Sequence, residues 1–232
     1  MYLPVIFLIC CLLQSPGGQE EDKAFRANRE KMVSRQLKAH GIHDEAVLKA
    51  MGQVKRHLFV PAGQAADAYA DRPLPIGYGQ TISQPYMVAY MTQVIKPQPS
   101  FKVLEVGTGS GYQAAVLAEI ISQVYTIEIV PELGRSAGQR LKNLGYDNVQ
   151  VKIADGYHGW PEAAPFDAIV VTAAAEYVPP PLVRQLKEGG RMVIPIGSPF
   201  MNQMLMLVEK KKGKVLTRSL MPVMFVPFTR RP

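Results

Sequence analysis

The sequence predicts an α/β protein built on a doubly wound, mostly parallel seven-stranded sheet, with helices ahead of it and an antiparallel strand at its C-terminal end. Three observations carry this expectation. Short apolar runs alternate with helical segments from Lys102 to Pro195, a pattern that crossover helices between parallel strands produce. A glycine-rich turn, Gly107-Thr108-Gly109-Ser110-Gly111, stands between the first of those strands and a helix. After Gln203 the pattern turns to strands only.

Residues 1–20 read as an apolar extension and 21–232 as one domain, with helices and a substrate loop over 21–97 and the sheet over 98–232. Leu3–Leu13 is an uncharged apolar run. It resembles the core of a signal peptide but lacks a basic residue before it, and it is too short to span a bilayer comfortably. Export or tethering through 3–13 and a mere upstream extension both stay open. Residues 23–39 form an amphipathic helix ended by Gly41, and Asp44 caps a second helix, Glu45–Met51. His57 to Pro85 is loop-rich, and long irregular stretches in compact domains are often functional. Pro85–Ile95 is helical, with proline in its first turn.

In the sheet region the expected strands are Lys102–Val106, Val124–Ile129, Val149–Ile153, Asp167–Thr172 and Arg191–Pro195. The expected helices are Gly111–Ile121, Pro131–Leu144 and Pro179–Lys187. Gln203–Glu209 and Lys214–Leu220 follow as strands joined at Gly213, with Val223–Val226 as a further candidate.

Composition narrows the function. The 232 residues are 47% hydrophobic and 19% charged, a globular balance. The net charge of +7 is spread along the chain. Its densest run, Lys210-Lys211-Lys212-Gly213-Lys214, has no interleaved aromatics and reads as a solvated hairpin turn, so no nucleic-acid partner is expected. Both cysteines, Cys10 and Cys11, lie in the extension, and the four histidines show no metal-ligand spacing. No metal site is expected.

The glycine turn lets a ligand approach the backbone, because no Cβ stands in the way, and the next helix presents free N–H groups there. Glu128 ends the second strand, 21 residues after Gly107, where a carboxylate can accept both hydroxyls of a ribose. An adenosine-containing cofactor fits this pair. The dinucleotide fingerprint needs a small residue where Tyr112 stands, which argues against a nicotinamide cofactor. The spacing G-x-G-x-G after acidic Glu105 resembles the first motif of class I S-adenosylmethionine methyltransferases, with their Rossmann-like fold. An acidic group suits the cofactor's ammonium and sulfonium, and free N–H groups suit its carboxylate. Asp155-Gly156 follows the third strand. An acidic residue there pairs with the adenine edge in such enzymes, and otherwise Asp-Gly is an ordinary turn.

Within that class, Arg72-Pro73-Leu74-Pro75-Ile76-Gly77-Tyr78-Gly79-Gln80-Thr81-Ile82-Ser83-Gln84-Pro85-Tyr86 and Val103 to Tyr112 closely resemble the protein-L-isoaspartate O-methyltransferases. The likeness continues through Asp167–Ala175 and Leu186–Gly197 and ends at Val226-Pro227-Phe228-Thr229, covering roughly 25–229. Thr81–Pro85 is its most specific segment. Glu105 stands where many members have Asp, and Tyr86 where animal members have His.

The resemblance implies methyl transfer from S-adenosylmethionine to the free carboxylate of L-isoaspartyl residues in damaged proteins. The partners would be isoaspartyl peptides and proteins, and the enzyme a cytoplasmic monomer without a stable membrane span. It implies a cofactor set of Gly107, Thr108, Gly109, Glu128, Ile129, Asp155 and Gly156. Ser83 would position the reacting carboxylate, unless it merely caps the helix at Pro85. Thr81, Ile82, Gln84 and Thr229 would contact substrate, and the loop Ala173–Val178 either shapes the substrate channel or simply packs closely. A class I methyltransferase with another carboxylate or small-molecule acceptor, a nicotinamide oxidoreductase and an inactive cofactor-fold binding module are the competing readings.

Overall fold

A computed structural model of the chain describes residues 16–198 and 202–230, with side chains from Lys23 onward. The apolar run Leu3–Leu13 lies outside the described residues. Helix α1 (Pro16–Lys31) continues through a π-helical turn, Met32–Leu37, and a 3-10 turn, Lys38–His40. The helix expected over 23–39 is therefore longer and of three kinds. The wide turn brings Met32 and Leu37, five residues apart, both into the core. Gly41 ends the run in the left-handed conformation, φ +92°. Asp44 caps α2 (Glu45–Gln53), its Oδ1 accepting the N–H groups of Ala46 and Val47 at 3.0 and 3.1 Å.

The loop-rich stretch contains a hairpin that the sequence reading missed. Strand β1 (Leu74–Gly77) pairs antiparallel with β2 (Gln80–Ile82). Each is too short, and too broken by Pro75, Gly77 and Gly79, to show an alternating pattern. Tyr78 and Gly79 form the two-residue turn, both with positive φ (+53° and +69°), the geometry that matches the twist of a hairpin. Helix α3 (Pro85–Val94) follows directly.

The central sheet then builds in the expected order: β3 (Lys102–Val106), α4 (Tyr112–Ala118), β4 (Gln123–Glu128), α5 (Pro131–Asn143), β5 (Val149–Ile153), β6 (Phe166–Val171), α6 (Pro180–Gln185) and β7 (Leu186–Ile196). The hairpin β8 (Gln203–Lys211) and β9 (Lys214–Val223) closes it. Strand order is β5-β4-β3-β6-β7-β8-β9, parallel through β7 and antiparallel across β8 and β9. The expected antiparallel C-terminal strand is β8, which alone among the described strands of this sheet runs against the others; β9, antiparallel to β8, returns to the common direction. Helix α6 stops two residues short of Lys187 because Leu186 already pairs with Phe166. Val223–Val226 is not a separate strand: Val223 ends β9, and Gln203 binds both backbone groups of Phe225, turning the chain away.

Alternate residues of β3 face opposite cores. Val103 joins Val124, Ala168 and Val193 beneath the N-terminal helices, α3 and α4. Leu104 and Val106 join Ile127, Ile169, Ile194 and Leu182 of α6 on the other face. Layers of helix thus cover both sheet faces, as the near-continuous apolar strands require. Among the described residues, no helix is long and apolar enough to cross a membrane, and no cluster of three metal-type ligands occurs.

Candidate active site

The chain leaves β3 for β4 on one side and later returns to β6 on the other. Strand order therefore reverses beside β3, and a crevice opens there at the carboxyl ends of the strands. It is lined by Val106, Gly107 and Gly109 after β3, Ile127 to Ile129 at the end of β4, Gly156 after β5 and Thr172 and Ala173 after β6, and encloses about 560 Å³ including its mouth. A second chamber of about 310 Å³ shares Thr81, Gly107, Gly109 and Thr172 with it and reaches in to Ser83, Glu105 and Gln113.

The turn is a backbone cradle. Gly107 has φ +99°, and a Cβ there would collide with Thr172 Oγ1, which itself donates to the Gly107 carbonyl at 2.8 Å. A Cβ on Gly156 would overlap Val106 Cγ1. Only glycine therefore lets these two turns pack this closely against Thr172 and Val106. Glu128, 5% exposed, fastens the turn: its Oε2 accepts the Gly109 N–H at 2.7 Å and its Oε1 the Val130 N–H at 2.9 Å. Each carboxylate oxygen has lone pairs left for hydroxyl donors in the crevice.

Beneath the turn, Glu105 is fully buried. Its Oε2 accepts from Thr126 Oγ1 at 2.5 Å, and Thr126 Oγ1 lies 2.6 Å from Thr108 Oγ1. Its Oε1 has no partner, and neither has Gln113 Oε1, a second buried acceptor lining the same chamber. Burial pushes the Glu105 carboxyl up to about 8; the Thr126 hydrogen bond opposes that shift and the Glu128 charge adds to it. A buried acid with a vacant lone pair facing a chamber is a receptor for a cation or a strong donor.

Ser83 lines this chamber, half-buried, with Thr81 and Ile82. Capping of α3 falls instead to Asp71, which accepts the Tyr86 N–H at 3.0 Å and the Gln84 amide at 2.9 Å. Gln84 thus faces Asp71 and lines neither cavity. Thr108 lines the inner chamber; Ile129, Gly156 and Thr229 line the outer crevice. Asp155 stands next to Gly156, its Oδ1 accepting the Tyr157 N–H at 2.9 Å. Of the loop 173–178, Ala173 lines the crevice and Ala174 pairs with the tail.

Several site residues were not legible in sequence. Thr126 and Gln113 sit on apolar elements and resemble core polar residues. Asp71 lies in a loop 15 residues before the amide it caps. Phe228, which lines the crevice above Gly156, arrives on a tail about seventy residues further on.

Known proteins resemble this chain in sequence and fold. The family described as Protein-L-isoaspartate(D-aspartate) O-methyltransferase matches residues 27–232. A protein-L-isoaspartate O-methyltransferase 2 of Polaromonas sp. strain JS666 is 65% identical, over 80% of this chain and 89% of its own length. A protein-L-isoaspartate O-methyltransferase 1 of Nitrosospira multiformis is 60% identical, over 88% and 87%. Among solved structures, a protein-L-isoaspartate O-methyltransferase from Plasmodium falciparum in complex with S-adenosyl-L-homocysteine superposes with a TM-score of 0.76 at 29% identity, covering 88% of this chain and 99% of that one. The expected fold, cofactor and reaction class agree with these relatives, and the chain belongs to the protein-L-isoaspartate (D-aspartate) O-methyltransferase family of S-adenosylmethionine-dependent enzymes.

Proposed function

We propose that the outer crevice holds the adenosine of S-adenosylmethionine, that the inner chamber holds its amino-acid end, and that Ser83 presents the free carboxylate of an L-isoaspartyl residue to the methyl group. The observation that carries this reading is the inner chamber, where Ser83 and Glu105, whose Oε1 has no hydrogen-bond partner, line the same space beside the glycine turn. The residues fit the cofactor: Gly107, Gly109 and Gly156 line the crevice with backbone, Glu128 offers acceptors for ribose hydroxyls, and Glu105 offers a buried acceptor for an ammonium.

When bound, S-adenosylmethionine supplies a methyl group made electrophilic by its sulfonium. The chain supplies position. An isoaspartyl carboxylate, with an ordinary pKa of about 4, is already ionised at neutral pH, so no general base is needed. Ser83 donates its hydroxyl to one carboxylate oxygen and leaves the other free to attack. It acts as a donor and not as a covalent nucleophile, and the sequence around it supplies no activating base. Orientation of this kind is worth about 7–11 kcal/mol in favourable cases. Thr81 and Ile82 flank Ser83 along the chamber wall, and Thr229 closes the outer rim. Because the acceptor is a peptide of varied sequence, the hairpin β1–β2 and the tail are its docking edges.

Incorporation of labelled methyl into an isoaspartyl peptide and its aspartyl twin tests the reading. Strong preference for the isoaspartyl form is expected; equal labelling of both would point to a different acceptor. S-adenosylmethionine is made in the cytosol, which supports a cytoplasmic location; the monomer that the family resemblance implies is checked by light scattering of the purified protein.

A further inference from the structure

The segment after β9 closes over the adenosine end of the crevice as a strap, and it is pinned at three places. Gln203 binds the Phe225 N–H at 2.6 Å and the Phe225 carbonyl at 3.1 Å. Ala174 donates to the Val226 carbonyl at 2.9 Å and accepts the Phe228 N–H at 2.8 Å. Arg230 Nε donates to Asp155 Oδ2 at 2.7 Å, with its guanidinium carbon 3.7 Å from the centre of the Tyr157 ring. Between the pins, Val226, Pro227, Phe228 and Thr229 form one wall of the crevice.

The third pin differs from the others. It is made by side chains alone, at the last described residue of the strap, and it grips the carboxylate proposed to meet the adenine edge. The Asp155 side chain is 12% exposed and that of Arg230 43%. Asp155 is held from both sides, Oδ1 by the Tyr157 N–H and Oδ2 by Arg230, so its plane is set before any ligand arrives. Stacking on Tyr157 fixes the guanidinium in turn, a geometry that a lysine does not reproduce.

We infer that Arg230 is a positioning residue for the cofactor: it orients Asp155 and latches the strap 224–230 over the adenine, so that it governs cofactor affinity and not the chemical step. The inference rests on the reading of Asp155 as the adenine-edge acceptor.

The test uses the full chain and the variants R230A, R230K, D155N and D155N/R230A, with S-adenosylhomocysteine affinity from calorimetry and steady-state kinetics in varied S-adenosylmethionine. Arg230→Ala should raise both Kd and KM for the cofactor by about three- to tenfold, the scale of a half-exposed ion pair with good geometry, while kcat changes less than twofold. Arg230→Lys should recover only part of the loss. In the D155N background, adding R230A should change affinity by less than twofold, because the effect travels through Asp155. Equal losses from R230A in both backgrounds, or a fall in kcat without a rise in KM, would overturn the latch. Weakened binding in D155N with unchanged binding in R230A would sink the latch alone. Unchanged binding in D155N would sink the adenine reading of Asp155 and the latch with it.

Discussion

Glu128 and Gly109 are joined by a 2.7 Å hydrogen bond in which the carboxylate at the end of one strand accepts the N–H of the turn that follows its neighbour. The same side chain also accepts the Val130 N–H. It therefore shapes the crevice as well as being the acceptor proposed for a ribose. Glu128→Ala should weaken S-adenosylhomocysteine binding by about 10- to 100-fold, the cost of losing hydrogen bonds to a charged group. Glu128→Gln, which keeps one acceptor, should lose less. Calorimetry reads both, and unchanged affinity in the alanine variant would refute the ribose role.

Ser83 should separate binding from chemistry. It lines the inner chamber while Asp71 does the capping. Ser83→Ala is expected to lower kcat by about 10- to 100-fold, the effect of removing one aligned donor. Affinity for S-adenosylhomocysteine should stay within about twofold on the same reasoning. Small, equal losses in both quantities would mean that Ser83 is only structural.

Asp71→Ala removes the acceptor for the first turn of α3. A lost cap costs about 1 kcal/mol, which in a domain of this size lowers Tm by about 2–4 °C. Because Ser83 lies two residues before α3, turnover should fall too, and Asp71→Asn should restore much of the stability. Calorimetric melting checks the first effect; an unshifted Tm in the alanine variant would contradict the capping role.

Glu105 predicts a pH dependence with a definite sign. Its carboxyl is pushed up from 4.5 to about 8 by burial, against the Thr126 hydrogen bond and with help from Glu128. The folded state holds a proton that the unfolded state has released, so this stabilisation is complete below about pH 4.5 and lost as pH rises through about 8. Denaturant unfolding of the ligand-free protein between pH 5 and 8 should show stability falling with pH, and Glu105→Gln should flatten that slope. Parallel slopes in the two proteins would exclude Glu105 as its source. A bound ammonium favours the ionised form, so cofactor binding near pH 7 should release protons, seen as a buffer-dependent binding enthalpy.

Much of this protein was readable as local pattern. The alternation from Lys102 to Pro195 fixed the sheet's class, because parallel strands buried on both faces must be apolar and must be joined by helices. Gly107 and Glu128 announced the crevice, because a left-handed turn and a strand-end carboxylate are properties of single positions. Asp44 was recognisable as a cap because its partners are two and three residues away. The hairpin at Tyr78–Gly79 was not, since its strands are too short to show a period.

What tertiary structure alone decided is the pairing of groups distant along the chain. Asp155 meets Arg230 across 75 residues, and Glu105 meets Thr126 across 21. Whether a carboxylate is charged, vacant or clamped depends on neighbours brought by other strands and on how much water they exclude. Side-chain type sets the chemistry a position can perform, and packing sets its partner, its protonation and its orientation.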